Sequence, residues 1–279
     1  TIAMRLPSKP FAHQGGPVVL AHRGWRGLYP ENTMLAFRKA AELPIDGLEI
    51  DIHQTKDGVL VVCHDETVDR TTEGNGRIQH HTLAELQQLD AGYRFTSDGG
   101  HTFPFRGQGI VISTLAEVFE SFPELWINID MKQETPSLVQ DFANLIRQHN
   151  VAHRLCVGSF SNTTVAAFRR VCPEVARTAS HAETVRWYAL SKLRLDRFYW
   201  GRGQVLQIPE VDEDTGLRLV TPRSVRAAHR NNIAVHVWTV NEPADMQRLL
   251  GMGVDGLISD FPDRALRAVG RLERRGSEQ

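Results

Sequence analysis

Carboxylates and histidines recur in this chain where apolar strands would ordinarily hold neither. In GLEIDIHQTKDGVLVVCHD (Gly47–Asp65), Glu49 and Asp51 stand two residues apart inside an apolar run. His64 closes the next apolar run, beside Asp65. VVLAHRG ends on His22 and Arg23, and INIDMK carries Asp130 and Lys132. Side chains alternate faces along a strand, so Glu49 and Asp51 share one face, as do Asn128, Asp130 and Lys132.

Burying an unpaired carboxylate costs tens of kcal/mol in the Born limit, so Glu49, Asp51 and Asp130 need positive charge if they converge. Arg23 and Lys132 supply part of it. A hard divalent cation is the other solution, because all three groups are oxygen donors. Mg²⁺ or Ca²⁺ suits them better than Zn²⁺, since no thiolate or histidine group has zinc-site spacing. A salt-bridge network without metal is the competing reading. His22 and His64 each end a strand-like run, and two histidines facing one substrate divide the work of general acid and general base. The competing reading is a pair of structural histidines. His53, His80, His81, His101, His149, His153, His181 and His229 read as loop or surface residues.

The elements that must position these groups are eight short β-rich runs: 18–24, 47–52, 127–132, 155–159, 176–180, 205–209, 235–240 and 256–260. Helical periodicity separates most of them, as in MLAFRKAAEL and SLVQDFANLIRQHN. Thr221-Pro222 reads as an N-cap followed by proline at the first helical position. Alternating strand and helix implies parallel strands with crossover helices, here an α/β fold of the (β/α)₈ TIM-barrel type. No GxGxxG follows the first strand, which argues against a dinucleotide-binding open sheet. A single barrel domain across residues 1–279 is expected, with an insertion at about 59–112 after the second strand and one short helix at Leu83–Leu89. The polar faces then lie at the strands' C-terminal ends, where barrels of this kind keep their active sites.

Composition narrows the partners. With 32 basic and 33 acidic residues among 279, bulk electrostatic binding of nucleic acid is not expected. Cys63, Cys156 and Cys172 are an odd set without paired spacing, which suggests a reduced, cytoplasmic setting. The chain starts at Thr1, so an upstream export segment is compatible with it. No run is long and apolar enough to span a bilayer. The N-terminal residues show no signal-peptide core, and the tail RLERRGSEQ is expected to fray. WYALSKLRLDRFYWGRGQ is apolar and cationic together, through Trp187, Tyr188, Phe198, Trp200 and several arginines. It reads as a barrel helix with basic outer residues, or as a peripheral lipid contact or acyl-chain site. Nothing in the sequence specifies an oligomeric state.

The ordered motifs AHRGWRGLYPENTMLAFRKA, GLEIDIHQTKDGVLVVCHD, INIDMK and VHVWTVNEPADMQRLLGMGVDGLISDFPD resemble the glycerophosphodiester phosphodiesterase family over about Val18 to Pro262. The resemblance implies a TIM barrel with a small insertion after the second strand. It implies that His22 and His64 are the catalytic pair and that Glu49 and Asp51 are metal ligands. Asp130 falls where most members have a glutamate as third ligand. Arg23 and Lys132 match phosphate contacts, and Trp238 matches a tryptophan at the site mouth. EVFESFPELWINIDMK and VLQIPE are similar to the branch that acts on lysophospholipids as a lysophospholipase D.

The expected reaction is metal-dependent hydrolysis of a glycerophosphodiester to an alcohol and glycerol 3-phosphate. The alternative is release of lysophosphatidic acid from a lysophospholipid, by water or through a cyclic phosphate formed by the neighbouring glycerol hydroxyl. Two rivals are a sugar-phosphate isomerase or aldolase, which would need a Schiff-base or enediol arrangement, and a non-catalytic phospholipid-binding barrel, which should have lost one of these residues.

Overall fold

The structure is a computed structural model that describes residues 16–273. The expectations for the N-terminal segment and for the end of the polar tail concern residues outside this range. The strands are β1 (Val18–His22), β2 (Gly47–Gln54), β3 (Leu60–Val62), β4 (Trp126–Met131), β5 (Leu155–Gly158), β6 (Ala176–Arg177), β7 (Val205–Ile208), β8 (Ala234–Val237) and β9 (Gly256–Ser259). All but β3 run parallel, in the order β6-β5-β4-β2-β1-β9-β8-β7. The two ends meet beside the Thr178–Val205 bridge. There Ala179 N donates to Val205 O at 2.7 Å and Gln204 N donates to Arg177 O at 3.0 Å. The barrel is thereby closed, and each expected run supplies one of its eight parallel strands.

The helices are α1 (Met34–Ala41), α2 (Leu83–Leu86), α3 (Leu115–Ser121), α4 (Val139–His149), α5 (Asn162–Val171), α6 (His181–Lys192), α7 (Pro222–Arg230), α8 (Pro243–Gly251) and α9 (Pro262–Ala268). Thr221 caps α7, accepting from Ser224 N, with Pro222 at its first position. Leu48, Ile50 and Ile52 point outward from β2 and pack with Phe37, Phe142 and Ile129 in the main core. Inside the barrel, Leu20, Cys156, Val205, Ala234 and Ile258 form a small apolar plug. Gly47 is required where β2 passes β4, because a Cβ there would lie 2.3 Å from the Trp126 carbonyl oxygen.

The insertion has its own core. β3 pairs antiparallel with β2, and Val61, Cys63, Val68, Ile78, Leu86, Ala91 and Ile112 cluster beneath the loops. Its short helix ends at Leu86, earlier than the Leu83–Leu89 expectation, with Thr82 and Glu85 forming a capping box. Two readings need correction. His53 is not a surface residue: it lies on β2 at 3% exposure, with Nε2 3.2 Å from the His64 carbonyl oxygen. Trp187 is fully buried in the core, so it faces neither solvent nor lipid. The three cysteines are free and buried. No helix among the described residues is long and apolar enough to cross a membrane.

One ion pair staples the closure region. Arg177 donates to both Glu183 oxygens, at 2.7 and 2.9 Å, and Glu183 also accepts from Ser180 N and Arg202 N. Burial pushes this carboxyl up, but Arg177 and the two amides outweigh it and hold it at about 2, against an ordinary 4.5. A depressed carboxylate stabilises the fold above its unfolded value and loses that contribution as pH falls through the folded one. Glu183→Gln should therefore lose on the order of 3 kcal/mol at neutral pH, and the gap to wild type should close as pH falls from about 4.5 towards 2. Urea denaturation at several pH values measures it; a gap that does not change with pH would contradict the assignment.

Candidate active site

The barrel register sets the site. His22 lies opposite Glu49, Glu49 opposite Asn128, and Asp51 opposite Asp130. These side chains, with Arg23, His64, Lys132 and Trp238, line one cavity of about 600 Å³ at the strands' C-terminal ends. The residues the family resemblance assigned to catalysis, metal and phosphate binding and the site mouth are thus brought to one place.

The turn after β1 aims Arg23 into it. Arg23 and Gly24 both adopt left-handed conformations, at φ 52° and 82°. Glycine is needed second, since a Cβ at Gly24 would lie 2.8 Å from Ala36 of α1. Arg23 accepts the less favourable backbone, and its Nε stands 3.1 Å from Asp51 Oδ2. Asn32, also left-handed, donates to the same oxygen at 3.0 Å.

The three carboxylates share too little positive charge. Lys132 Nζ lies 2.7 Å from Asp130 Oδ2 and 3.1 Å from Asp51 Oδ1. Glu49 Oε2 is buried and has no hydrogen-bond partner. Burial, then the neighbouring Asp51 charge, push Glu49 well above the ordinary carboxylate range. Burial raises Asp130 as well, against the pull of Lys132. Burial opposes charge on Lys132, but Asp130 and Asp51 outweigh it and raise the amine. Among the described residues no three His, Cys, Asp or Glu side chains stand as a ready metal-ligand group. The donor chemistry nevertheless fits a hard cation: Glu49 and Asp51 are buried, Asp130 is largely so, all line one cavity, and one Glu49 oxygen is unpartnered.

Both histidines are held the same way. His22 Nδ1 lies 2.6 Å from Asp260 Oδ1, and His64 Nδ1 lies 2.6 Å from Asp65 Oδ1. Burial pushes Asp260 up, but the His22 contact, Arg26 and Asn241 outweigh it and keep it ionised. An ionised carboxylate accepts the Nδ1 proton, which leaves Nε2 to the cavity. His22 Nε2 is 3.7 Å from Glu49 Oε2. Burial holds His22 below the ordinary imidazole range despite Asp260.

The orienting carboxylates are themselves clamped. Arg26 Nη1 reaches Asp260 at 3.3 Å, and Arg70 Nε donates to Asp65 at 2.7 Å. Both arginines also donate to Glu31, at 2.9 Å from Arg26 Nε and at 2.7 and 2.9 Å from Arg70, and Arg23 Nη1 joins them at 2.8 Å. Burial would raise Glu31, yet the arginines hold it far below the usual range. Sequence reading assigned no role to Glu31, Asp65 or Asp260, although all three stand inside the motifs quoted for the family resemblance. Arg70 offered no signal.

Phe160, Val185, Tyr188, Leu217, Leu219 and Trp238 add apolar surface to the cavity lining. Phe160, Val185 and Leu217 are 65%, 53% and 46% exposed. Phe160 meets the Trp238 ring edge-on at 6.1 Å.

A family model described as the glycerophosphoryl diester phosphodiesterase family matches residues 22–264. The chain belongs to that family. It is 32% identical over 262 residues to a glycerophosphodiester phosphodiesterase of Caldanaerobacter subterraneus subsp. tengcongensis, covering 90% of this chain and 97% of the relative. A lysophospholipase D of Rattus norvegicus is 28% identical over 270 residues, covering 88% of this chain and 83% of the relative. Among solved structures, an Oleispira antarctica phosphodiesterase in complex with its product sn-glycerol-3-phosphate superposes with a TM-score of 0.70 at 26% identity, covering 91% of this chain and 97% of that one. The chain is therefore an enzyme of the glycerophosphodiester phosphodiesterase class.

The geometry makes Glu31 a positioning group for this family's chemistry. Glu31→Gln should lower the turnover number about 10- to 100-fold, the usual effect of removing a group that orients active-site residues. The far-UV spectrum should stay unchanged, and Glu31→Asp should restore part of the loss. Steady-state phosphodiester hydrolysis measures it. Wild-type turnover in Glu31→Gln would show that the network does not set the site.

Proposed function

We propose that this enzyme hydrolyses glycerophosphodiesters to an alcohol and glycerol 3-phosphate, with His22 and His64 as its acid–base pair and a Mg²⁺ or Ca²⁺ ion at Glu49, Asp51 and Asp130. The observation that carries the reading is the paired arrangement of the histidines. Each has a carboxylate on Nδ1, and both line the cavity that holds Arg23 and Lys132.

Arg23 and Lys132 neutralise the non-bridging phosphate oxygens, Arg23 through a planar fork and Lys132 as a point charge. One histidine takes the proton of the attacking water, whose oxygen bonds to phosphorus. The bond to the leaving alcohol breaks, and the other histidine protonates that oxygen. Asp260 and Asp65 hold the rings so that each Nε2 serves as the exchanging atom. A cation at the carboxylates would supply Lewis-acid stabilisation of charge on the phosphoryl oxygens. Asp130 is one methylene shorter than the glutamate of most members, and its register partner Asp51 places it across from the second ligand.

The apolar part of the cavity lining favours a second reading, in which the substrate is a lysophospholipid and the product lysophosphatidic acid. Phe160, Val185, Leu217 and Trp238 offer an acyl chain an apolar wall that a free glycerophosphodiester leaves uncovered. The wall also suits attack by the neighbouring glycerol hydroxyl through a cyclic phosphate, because an acyl chain held there would fix the glycerol beside the phosphorus.

His22→Ala and His64→Ala should each reduce turnover by about 10² to 10⁴, the span of general acid–base catalysis. Near-normal turnover in both would remove the pair from the mechanism. Choline release from glycerophosphocholine and from lysophosphatidylcholine should cease after chelation with EDTA and return with Mg²⁺ or Ca²⁺. The faster of the two substrates assigns the branch; full activity in the stripped protein rejects a metal at the carboxylates.

A further inference from the structure

Outside the barrel lies a second cavity that shares no residue with the active-site cavity. Arg194, Arg197, Arg223, Arg226 and Arg230 line it, together with Asp196 and Asn231. Arg223, Arg226 and Arg230 follow one face of α7, at helical spacing of three and four residues. The single carboxylate is already engaged: Arg230 Nε donates to Asp196 Oδ2 at 2.8 Å. Arg223 donates to the Lys192 carbonyl oxygen at 3.0 Å. Arg194, Arg197 and Arg226 have no carboxylate partner among the described residues. A chain with net charge −1 thus gathers a strong local excess of positive charge in one depression. Like charges held together repel, and an anionic partner is what relieves them.

The segment that carries Arg194 and Arg197 also exposes apolar side chains. Leu193, Leu195, Phe198 and Trp200 are 67%, 38%, 54% and 65% exposed. Arg197 lies 4.7 Å from the Phe198 ring, and Arg186 lies 4.6 Å from the Trp200 ring. Polyanions in water, such as nucleic acid, explain the arginines but not four exposed apolar side chains beside them. An anionic bilayer explains both, because its phosphates attract guanidinium groups and its interface receives aromatic and leucine side chains.

We propose that the end of α6, the 193–200 segment and the outer face of α7 form a docking surface for anionic phospholipid membranes. The arginines contact lipid phosphates while Leu193, Leu195, Phe198 and Trp200 settle at the interfacial level. Attraction of several guanidinium groups to such a surface, combined with the apolar contribution, gives reversible peripheral binding. α6 links this surface to the active site: Val185 at its start lines the catalytic cavity, and Leu193 follows its last turn. At 1.5 Å per residue the two are about 12 Å apart along the helix. Docking therefore keeps the cavity mouth close to the lipid. The proposal concerns a surface outside the catalytic machinery and stands whichever substrate the enzyme prefers.

The test is co-sedimentation of the full chain with vesicles of phosphatidylcholine alone and of phosphatidylcholine with about one-third phosphatidylserine. Binding should appear only with the anionic vesicles and fall away at roughly 0.5 M salt. The double variant Arg194→Glu/Arg226→Glu should bind at least about tenfold more weakly. Phe198→Ser/Trp200→Ser should also lose binding. Both variants should keep the wild-type far-UV spectrum, thermal midpoint and hydrolysis of water-soluble glycerophosphocholine. Tryptophan emission should shift to the blue on anionic vesicles, and Trp200→Phe should abolish the shift. Equal binding to both vesicle types, no binding to anionic ones, or wild-type binding by the charge-reversed variant would overturn the proposal. Tighter binding of duplex DNA than of anionic vesicles would overturn it as well and assign the face to nucleic acid.

Discussion

Three carboxylates inside the mouth of a barrel are the constraint on which this active site depends. Glu49 and Asp51 come from one strand and Asp130 from its neighbour, and the parallel register sets Asp51 against Asp130. Desolvation would make such a group untenable without compensation. Arg23 and Lys132 answer part of the need, and the left-handed turn after β1 exists where Arg23 must bend back to reach Asp51. Glu49 keeps a buried oxygen without a partner, so the residual deficit is concentrated on one atom, beside His22. A cation and a phosphodiester are the occupants we propose for a site with this unanswered charge.

The same logic extends outward through Glu31. Its carboxylate gathers three arginines from three different tasks: Arg23 faces the carboxylates, Arg26 holds Asp260, and Arg70 holds Asp65. Both histidines are consequently positioned by one connected network. That network explains why the insertion after β2 is packed. Its small core carries Arg70 and His64 back onto the barrel, and the amide of Cys63 donates to the Asp51 carbonyl at 3.0 Å. Polar networks of this kind fix a geometry when fully satisfied, and here nearly every member has its partner.

The barrel was legible because its strands are short apolar runs at regular spacing, and alternation correctly assigned Glu49, Asp51, Asp130 and Lys132 to the inner face. Periodicity says nothing about partners distant in sequence. Asp260 lies 238 residues from His22, and only barrel closure makes them neighbours. Glu31 drew no role from the sequence because two of its partners lie in the turn after β1 and the third, Arg70, in the insertion. His53 was misread for a different reason: a polar residue near a strand end looks solvent-facing, whereas β3 pairs over it and its ring meets the His64 carbonyl. In the apolar, cationic stretch the sequence could not separate Trp187, which the core takes, from Trp200, which it leaves outside.

The most direct test of the whole account is a crystal structure of the enzyme grown with Ca²⁺ and glycerol 3-phosphate. A cation held by Glu49, Asp51 and Asp130 is expected, with the phosphate on Arg23 and Lys132 between the Nε2 atoms of His22 and His64. A phosphate bound away from the two histidines, with no cation at the three carboxylates, would contradict it.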